Sequence, residues 1–338
     1  MNTKHLTSQD IEEAARILRE GGLVAFPTET VYGLGANGLD AAAVKKIFAA
    51  KGRPQDNPLI LHIPSADWLE RYCEDVPEIA YRLAERCWPG PLTMILRRKP
   101  CVPDATTAGL DTVGVRCPNH ALTRRMIELA GVPVAAPSAN RSGRPSCTTP
   151  EHVLEDMDGR IDAIVDGGNC AVGVESTILD LTVQPARVLR PGGMSMEELR
   201  LSGGIAIDLD PTLFRSLRDD EQPLAPGMKY RHYAPKADVT VVEGTPERSA
   251  QYIRQHLGEH TGVLCFSEYA FLFPQEQTQV LGPYANKTVQ AQRVFDALRA
   301  FDEMDVTEIY AQCPDESGLG MAVCNRIYKA AGFRSVKP

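Results

Sequence analysis

At 338 residues, 43% hydrophobic and 24% charged, the chain is long enough for about two globular domains of ordinary soluble composition. Its 36 Lys+Arg against 44 Asp+Glu leave a formal net charge of -8, which excludes a general nucleic-acid coat, although a local basic groove stays open. No window reaches the roughly 18 apolar residues of a membrane helix, the polar, acidic start MNTKHLTSQDIEEAA is unlike a secretory signal peptide, and nine cysteines without a CxxC pair point to a reduced cytoplasmic protein with no membrane partner.

In chain order, residues 8–20 carry Ile11, Ala14, Ala15 and Leu18 at helical spacing, with Thr7 as cap and Gly21-Gly22 as stop. Leu23 to Phe26 reads as a buried strand. It breaks at Pro27 into Thr28-Glu29-Thr30 and a glycine-rich turn at Gly33, Gly35 and Gly38. Asp40 caps a helix whose buried stripe is Val44, Ile47 and Phe48, and that helix stops at the glycine of Lys51-Gly52-Arg53-Pro54. A strand at 59–63 contains His62. Helices are predicted at 66–72, 78–88 and 121–130, a hard turn at WPGP, and strands at 92–96, 112–116 and 133–136. The stretch PSANRSGRPSCTTPE reads as a loop; strands at 161–165, 176–181 and 187–189 follow, and Ser195 with Glu198 makes a capping box.

Residues 203–237 lose periodicity but contain APGMKYRHYAPKA, whose aromatics and cations suit an ordered linker better than a flexible spacer. Beyond it, strands at 239–242, 262–266 and 308–311 alternate with helices at 246–257, 289–301 and 319–331, the pattern of a small parallel α/β domain. The expected division is 1–202, 203–237 and 238–338.

Four groups of residues could carry chemistry. Lys51 with Arg53, two cations after a helix, suits a polyphosphate or a carboxylate; the alternative is a solvated helix end favoured by the helix dipole. Ser138-Ala139-Asn140, followed by Arg141, Arg144 and Ser146, could form an anion-binding nest or a plain surface turn. Thr28, Glu29, Thr30, Tyr32 and His62 could line a pocket for a polar metabolite, or serve as caps and a satisfied core histidine. Arg116 and Arg190, at strand ends, could face a ligand crevice or form rim salt bridges. A Walker loop, HExxH, GxSxG and clustered Cys/His ligand spacings are absent, so no protein-held zinc or organic cofactor is expected. GLGANG at 33–38 imitates a dinucleotide fingerprint, but its glycines are read as running straight into loop, with no acid placed for a ribose in a βαβ unit.

Taken together, PTETVYGLG (27–35), KGRPQDNPLILH (51–62), GVR (114–116), APSANRSGRPS (136–146), GVESTILDL (173–181), VLRPG (188–192), PGMKYRHYAPKA (226–237) and GLGMAVCNRIYKAA (318–331) resemble the YrdC-like family, and within it the long, two-domain threonylcarbamoyl-AMP synthases. The resemblance implies a twisted, mixed open sheet with helices, plus a smaller Rossmann-like parallel α/β domain. It implies the conversion of L-threonine, bicarbonate or CO2, and ATP into threonylcarbamoyl-AMP and pyrophosphate. Mg2+ is expected with the ATP. The product is passed to tRNA threonylcarbamoyltransferase proteins that modify an adenosine next to the anticodon, with tRNA a further candidate partner. The matching motifs assign Lys51, Arg53, Ser138 and Asn140 to catalysis. They assign Thr30, His62, Arg116 and Ser176 to threonine, and Arg53, Asn57, Thr112, Ser138, Ser146, Arg190 and Tyr233 to ATP, with the segment around Tyr233 lying across the mouth of the site. One departure is Ala136, where some relatives carry a hydroxyl, so this position can contribute only its backbone. The rival readings are a non-catalytic RNA-binding module and a hydrogenase-maturation carbamoyltransferase; the latter's zinc-finger-like and acylphosphatase regions are missing from this chain.

Overall fold

The computed structural model describes residues 2–218, 221–228 and 232–338. Eleven strands form one large sheet. They are β1 (Lys4–Leu6), β2 (Val24–Phe26), β3 (Gly33–Asn37), β4 (Ile60–His62), β5 (Leu92–Arg97) and β6 (Thr112–Arg116), then β7 (Val134–Ala136), β8 (Ala163–Val165), β9 (Thr177–Asp180), β10 (Ala186–Arg190) and β11 (Ile207–Leu209). Their spatial order is β1-β8-β2-β3-β7-β4-β6-β5-β9-β10-β11. The sheet is mixed: β4 and β6 run parallel, whereas β3/β7, β4/β7 and β5/β6 are antiparallel. A second, all-parallel sheet takes β12 (Asp238–Val242), β13 (Thr261–Phe266), β14 (Thr278–Gly282), β15 (Glu308–Gln312) and β16 (Ser335–Val336) in the order β14-β13-β15-β12-β16. The α/β class and its two sheets are therefore as expected.

Local signals placed most elements. Thr7 and Asp10 form a capping box before the helix Ile11–Arg19. Asp40 accepts from the backbone of Ala42 and Ala43, and Gly52 ends the helix Ala41–Lys51 in the left-handed conformation, φ 63°. Ser195 and Glu198 cap the helix Met196–Gly203 reciprocally. No helix among the described residues is long and apolar enough to cross a membrane.

The glycine-rich stretch departs from the sequence reading. Gly33–Asn37 is no turn; it is β3, antiparallel to β2, with Phe26 opposite Gly33. The reason lies on the partner strand. A Cβ added at Gly35 would stand 2.6 Å from Phe26 and 2.6 Å from Val134, so the glycines admit the Phe26 ring across the strand. Because both flanking partners of β3 are antiparallel, no dinucleotide-binding βαβ turn exists here. Short elements were also missed: β1, β11, β14, β16 and the helices Asp104–Thr107 and Pro150–Met157, the last hidden in the hydroxyl-rich stretch after Ser138.

The segment read as a linker begins inside the large sheet. β11 pairs parallel with β10 before the chain leaves. Farther on, Ala225 and Met228 bury themselves against Ile60, Ile95, Ile178 and Leu189, so this stretch lies on one face of the sheet. Lys229, Tyr230 and Arg231 lie outside the described residues.

The two units are closely joined. Val31, Val174 and Tyr233 belong to the same apolar cluster as Phe295, Leu298 and Val323 of the C-terminal unit. At Gly173, φ 84°, an added Cβ would stand 2.4 Å from the Ala291 carbonyl oxygen and 2.4 Å from the Gln292 Cα. Backbone cannot yield as a side-chain tip can, and the left-handed conformation adds strain. Gly173→Ala is therefore expected to cost about 1–3 kcal/mol. The readout is a lower urea midpoint together with faster limited proteolysis between the domains; an unchanged midpoint would show that the contact yields without cost.

Candidate active site

Parallel β4 and β6 place His62 beside Arg116, and antiparallel β7 sets Ala136 opposite Ile60. Residues two apart on a strand share a face. Ile60 with His62, and Ala136 with Ser138, thus project to one side, where they line a narrow cleft together with Thr28, Arg53, Arg116, Asn140, Glu175, Ser176 and Arg190. Pro226, Gly227, His232 and Tyr233 of the linker close it. The site therefore lies over a face of the mixed sheet. Arg116 and Arg190, read from the sequence as strand-end cations that could face a ligand crevice or form rim salt bridges, both line the cleft.

On one wall, Thr28 organises a tight turn. Its Oγ1 lies 2.8 Å from the Thr30 Oγ1 and donates to the Val31 carbonyl at 2.6 Å. Thr30 itself is fully buried behind Thr28. The His62 ring meets Phe26 edge-on at 5.8 Å, and its Nδ1 is buried with no hydrogen-bond partner. Burial, reinforced by the nearby Arg116, pushes the His62 pKa down to about 3, so the ring is neutral. Arg116, only 4% exposed, forms an ion pair with Glu29 at 2.8 Å, although these atoms are not aligned as a hydrogen bond. Its Nε donates to the Gly90 carbonyl at 3.3 Å.

The opposite wall is the Ser138–Asn140 loop. Gly33 and Ser138 pair across an isolated bridge, and Ala139 N–H donates to the Tyr32 carbonyl at 2.8 Å. The Ser138 hydroxyl donates to Asn140 Oδ1 at 2.5 Å, while the Asn140 amide donates to the Arg141 and Arg144 carbonyls at 2.7 and 2.8 Å. Lys51 stands behind this loop and outside the cleft wall. Its Nζ donates to the carbonyls of both Ser138 and Asn140. Burial and the neighbouring Arg53 bring its pKa down to about 7. The ammonium expected to offset substrate charge thus also shapes the loop. Arg53 does line the cleft, with its guanidinium 5.7 Å from the Phe48 ring and donating to the Asn57 carbonyl at 3.4 Å. The Asn57 side-chain amide is buried with neither atom partnered.

The third wall is built around Arg190, 7% exposed, whose guanidinium donates to the Ser176 carbonyl at 3.0 and 3.1 Å, to its hydroxyl at 3.1 Å and to the Pro226 carbonyl at 3.4 Å. Burial lowers its pKa to about 10, which still leaves it charged near neutrality. Ser176 Oγ also lies 2.7 Å from the Thr93 hydroxyl. Ser146, fully buried, donates to Glu175 at 2.6 Å. Burial opposes the charge on Glu175, but Arg326 and Arg190 outweigh it and hold the carboxyl near 2. Tyr233, φ 63°, packs its ring at a tilt against Phe295 with centroids 5.0 Å apart, and burial raises its hydroxyl to about 12.

Of the residues proposed from sequence, the fold thus brings Arg53, His62, Arg116, Ser138, Asn140, Ser176, Arg190 and Tyr233 to one cleft. Lys51, Thr30 and Ser146 support its walls, and Asn57 sits beside Arg53. Thr112 is not brought in: it stands at the far end of β6 from Arg116 and lines a separate hollow with Asp111, Arg97 and Thr182. Sequence reasoning missed Glu175 and Arg326 as site residues, although both lie inside quoted motifs, GVESTILDL and GLGMAVCNRIYKAA.

Comparison with known proteins identifies the relatives of this chain. Residues 16–192 match the Sua5/YciO/YrdC family, described under telomere recombination, and residues 194–332 match the threonylcarbamoyl-AMP synthase C-terminal domain. The threonylcarbamoyl-AMP synthase of Pyrococcus abyssi is 48% identical, covering 97% of this chain and 95% of its own length. That of Bacillus subtilis is 46% identical, covering 99% and 97%. The crystal structure of P. abyssi Sua5 complexed with L-threonine superposes with a TM-score of 0.93 at 46% identity, over 100% of both chains. With both family segments matched in order and full-length relatives sharing nearly half of its residues, this chain belongs to the Sua5/YciO/YrdC family in its two-domain form.

Proposed function

We propose that this chain makes L-threonylcarbamoyl-AMP and pyrophosphate from L-threonine, bicarbonate or CO2, and ATP, for the modification of an adenosine beside the tRNA anticodon. The carrying observation is the cleft itself, in which Arg53, Arg116 and Arg190 converge with Ser138, Asn140 and Ser176 beneath a linker segment. Its likeness to a relative complexed with L-threonine supports the substrate. The non-catalytic RNA-binding reading fits less well. Arg116 and Arg190 are 4% and 7% exposed, too enclosed to meet a polyanionic backbone.

In this reading threonine sits against the Thr28, His62, Arg116 and Ser176 side of the cleft. Its amine attacks the carbon of CO2, or of bicarbonate with loss of water, and gives an N-carboxylate. A carboxylate oxygen then attacks the α-phosphorus of ATP in line, and pyrophosphate leaves from the opposite side. The protein supplies position and charge compensation rather than covalent chemistry. Arg53, Arg190 and the Ser138–Asn140 loop serve the nucleotide. Mg2+ enters with ATP, held by its phosphates and water; the carboxylate lining the cleft, Glu175, is already engaged by Ser146 and Arg326. Pro226, Gly227, His232 and Tyr233, which line the cleft, serve in this reading to keep water from the adenylate. The product passes to tRNA threonylcarbamoyltransferase proteins, and the setting is the cytoplasm.

Incubating the chain with threonine, bicarbonate and Mg-ATP should release pyrophosphate only when threonine is present, with the adenylate visible by mass spectrometry. Pyrophosphate release indifferent to threonine would count against the reading. Arg53→Ala should lower turnover on the order of 100- to 1,000-fold with the fold intact. Lys51→Met should lower turnover and thermal stability together, because one buried and one part-buried carbonyl lose their donor, the buried one at about 1–3 kcal/mol. Normal melting of Lys51→Met with full loss of turnover would return Lys51 to direct substrate contact.

His62 gives a pH test. Its folded pKa, about 3, lies below the ordinary 6.5, so between these values the unfolded chain binds the extra proton. Stability then falls as pH drops from 6.5. Glu175 adds a loss only below its ordinary 4.5. His62→Gln is thus expected to flatten the loss of stability between pH 6.5 and 4.5, leaving the smaller share of partly buried His120. Denaturant midpoints across that range measure it; parallel curves for the two proteins would refute the buried neutral ring.

A further inference from the structure

The helix Gly320–Ala330 of the C-terminal unit carries Arg326, which is completely buried. Two of its partners, Glu175 and Tyr233, line the cleft. The Nε donates to Glu175 Oε2 at 2.8 Å, and one terminal nitrogen donates to the Pro191 carbonyl at 2.8 Å and to Asn325 Oδ1 at 3.1 Å. The guanidinium also faces the Tyr233 ring at 5.6 Å. One turn on, Lys329 donates to the Met228 carbonyl of the linker at 3.1 Å. One helix face therefore reaches both the catalytic wall and the segment that closes it.

We infer that Arg326 is a positioning residue for the nucleotide half of the site, acting by compensating the charge of Glu175. This rests on the assignment of ATP to the cleft. Glu175 lines the cleft, and its other oxygen accepts from Ser146 at 2.6 Å. Without Arg326, a buried carboxylate would face the phosphates of ATP with only Ser146 and the nearby Arg190 to offset its charge. It would also compete for the nearby Arg190, which now points at Ser176 and Pro226. Leaving a buried charge without its partner is far more damaging than replacing both members of the pair. The C-terminal domain in this account completes the catalytic site; it is no mere appendage.

The test uses the full-length chain with calorimetric titration of Mg-ATP and, separately, of threonine, plus steady-state pyrophosphate release. Arg326→Met should weaken Mg-ATP binding and raise its KM on the order of tenfold or more, with threonine affinity little changed. Adding Glu175→Gln should restore much of that loss, because the uncompensated charge is gone. A purely packing role for Arg326 would not be rescued in this way. Arg326→Lys, which keeps the charge, should lie within a few-fold of the unmodified protein. If Arg326→Met does not fold, Arg326→Lys and the Arg326→Met/Glu175→Gln pair carry the comparison. Unchanged Mg-ATP affinity in Arg326→Met, a double variant no better than the single one, or Arg326→Lys as impaired as Arg326→Met would overturn the inference. Should the unmodified protein bind Mg-ATP yet release no threonine-dependent pyrophosphate, the proposed reaction falls, while the binding series still decides the role of Arg326.

Discussion

The structure depends on burying charge without leaving it unpaired. Glu175 and Arg326 meet at 2.8 Å although 151 positions separate them, and both are almost wholly enclosed. Each would be prohibitive alone in so dry a place. Arg299 repeats the device, donating to Asp156 at 2.8 Å and to the Pro145 carbonyl at 2.7 Å across the same boundary. The domain interface is thus held by paired ions set within an apolar cluster. Charge pairing across the boundary also fixes the register of one domain on the other, because a guanidinium shifted by one turn would lose its carboxylate.

The same constraint shapes the cleft. Two of its guanidinium groups are held by backbone carbonyls or carboxylates before any ligand arrives: Arg116 by Glu29 and Gly90, Arg190 by Ser176 and Pro226. Donors fixed in advance need no reorganisation when negative charge develops, which is where electrostatic catalysis gains most. Lys51 contributes one step back. By tying the Ser138 and Asn140 carbonyls together it fixes the shape of the loop that lines the cleft.

Much of this was legible in the chain. Caps at Thr7, Asp40 and Ser195 located helices whose ends the structure reproduces within a few residues, because capping is a local negotiation between a side chain and the next turn of backbone. The βα alternation after residue 238 likewise announced a parallel sheet. The glycines at 33 and 35 misled, since a turn and a strand facing a large aromatic ring both call for the missing Cβ, and only the partner strand distinguishes them. Short edge elements such as β11 and β16, three and two residues long, carry too few positions to show a period.

What the amino-acid order settled was therefore local, together with the set of motifs whose succession marked the family: where helices start and stop, which runs are buried, and which polar residues stand beside strand ends. Three-dimensional packing decided the rest. It gathered strand-end residues into one cleft, set Lys51 behind the wall while Arg53 stayed in it, left Thr112 at the other end of β6, and brought Arg326 to Glu175. Periodicity reports the environment of a residue averaged over its own element. The identity of a buried ion's partner is set by which distant segments cross, and that information is absent from any short window of sequence.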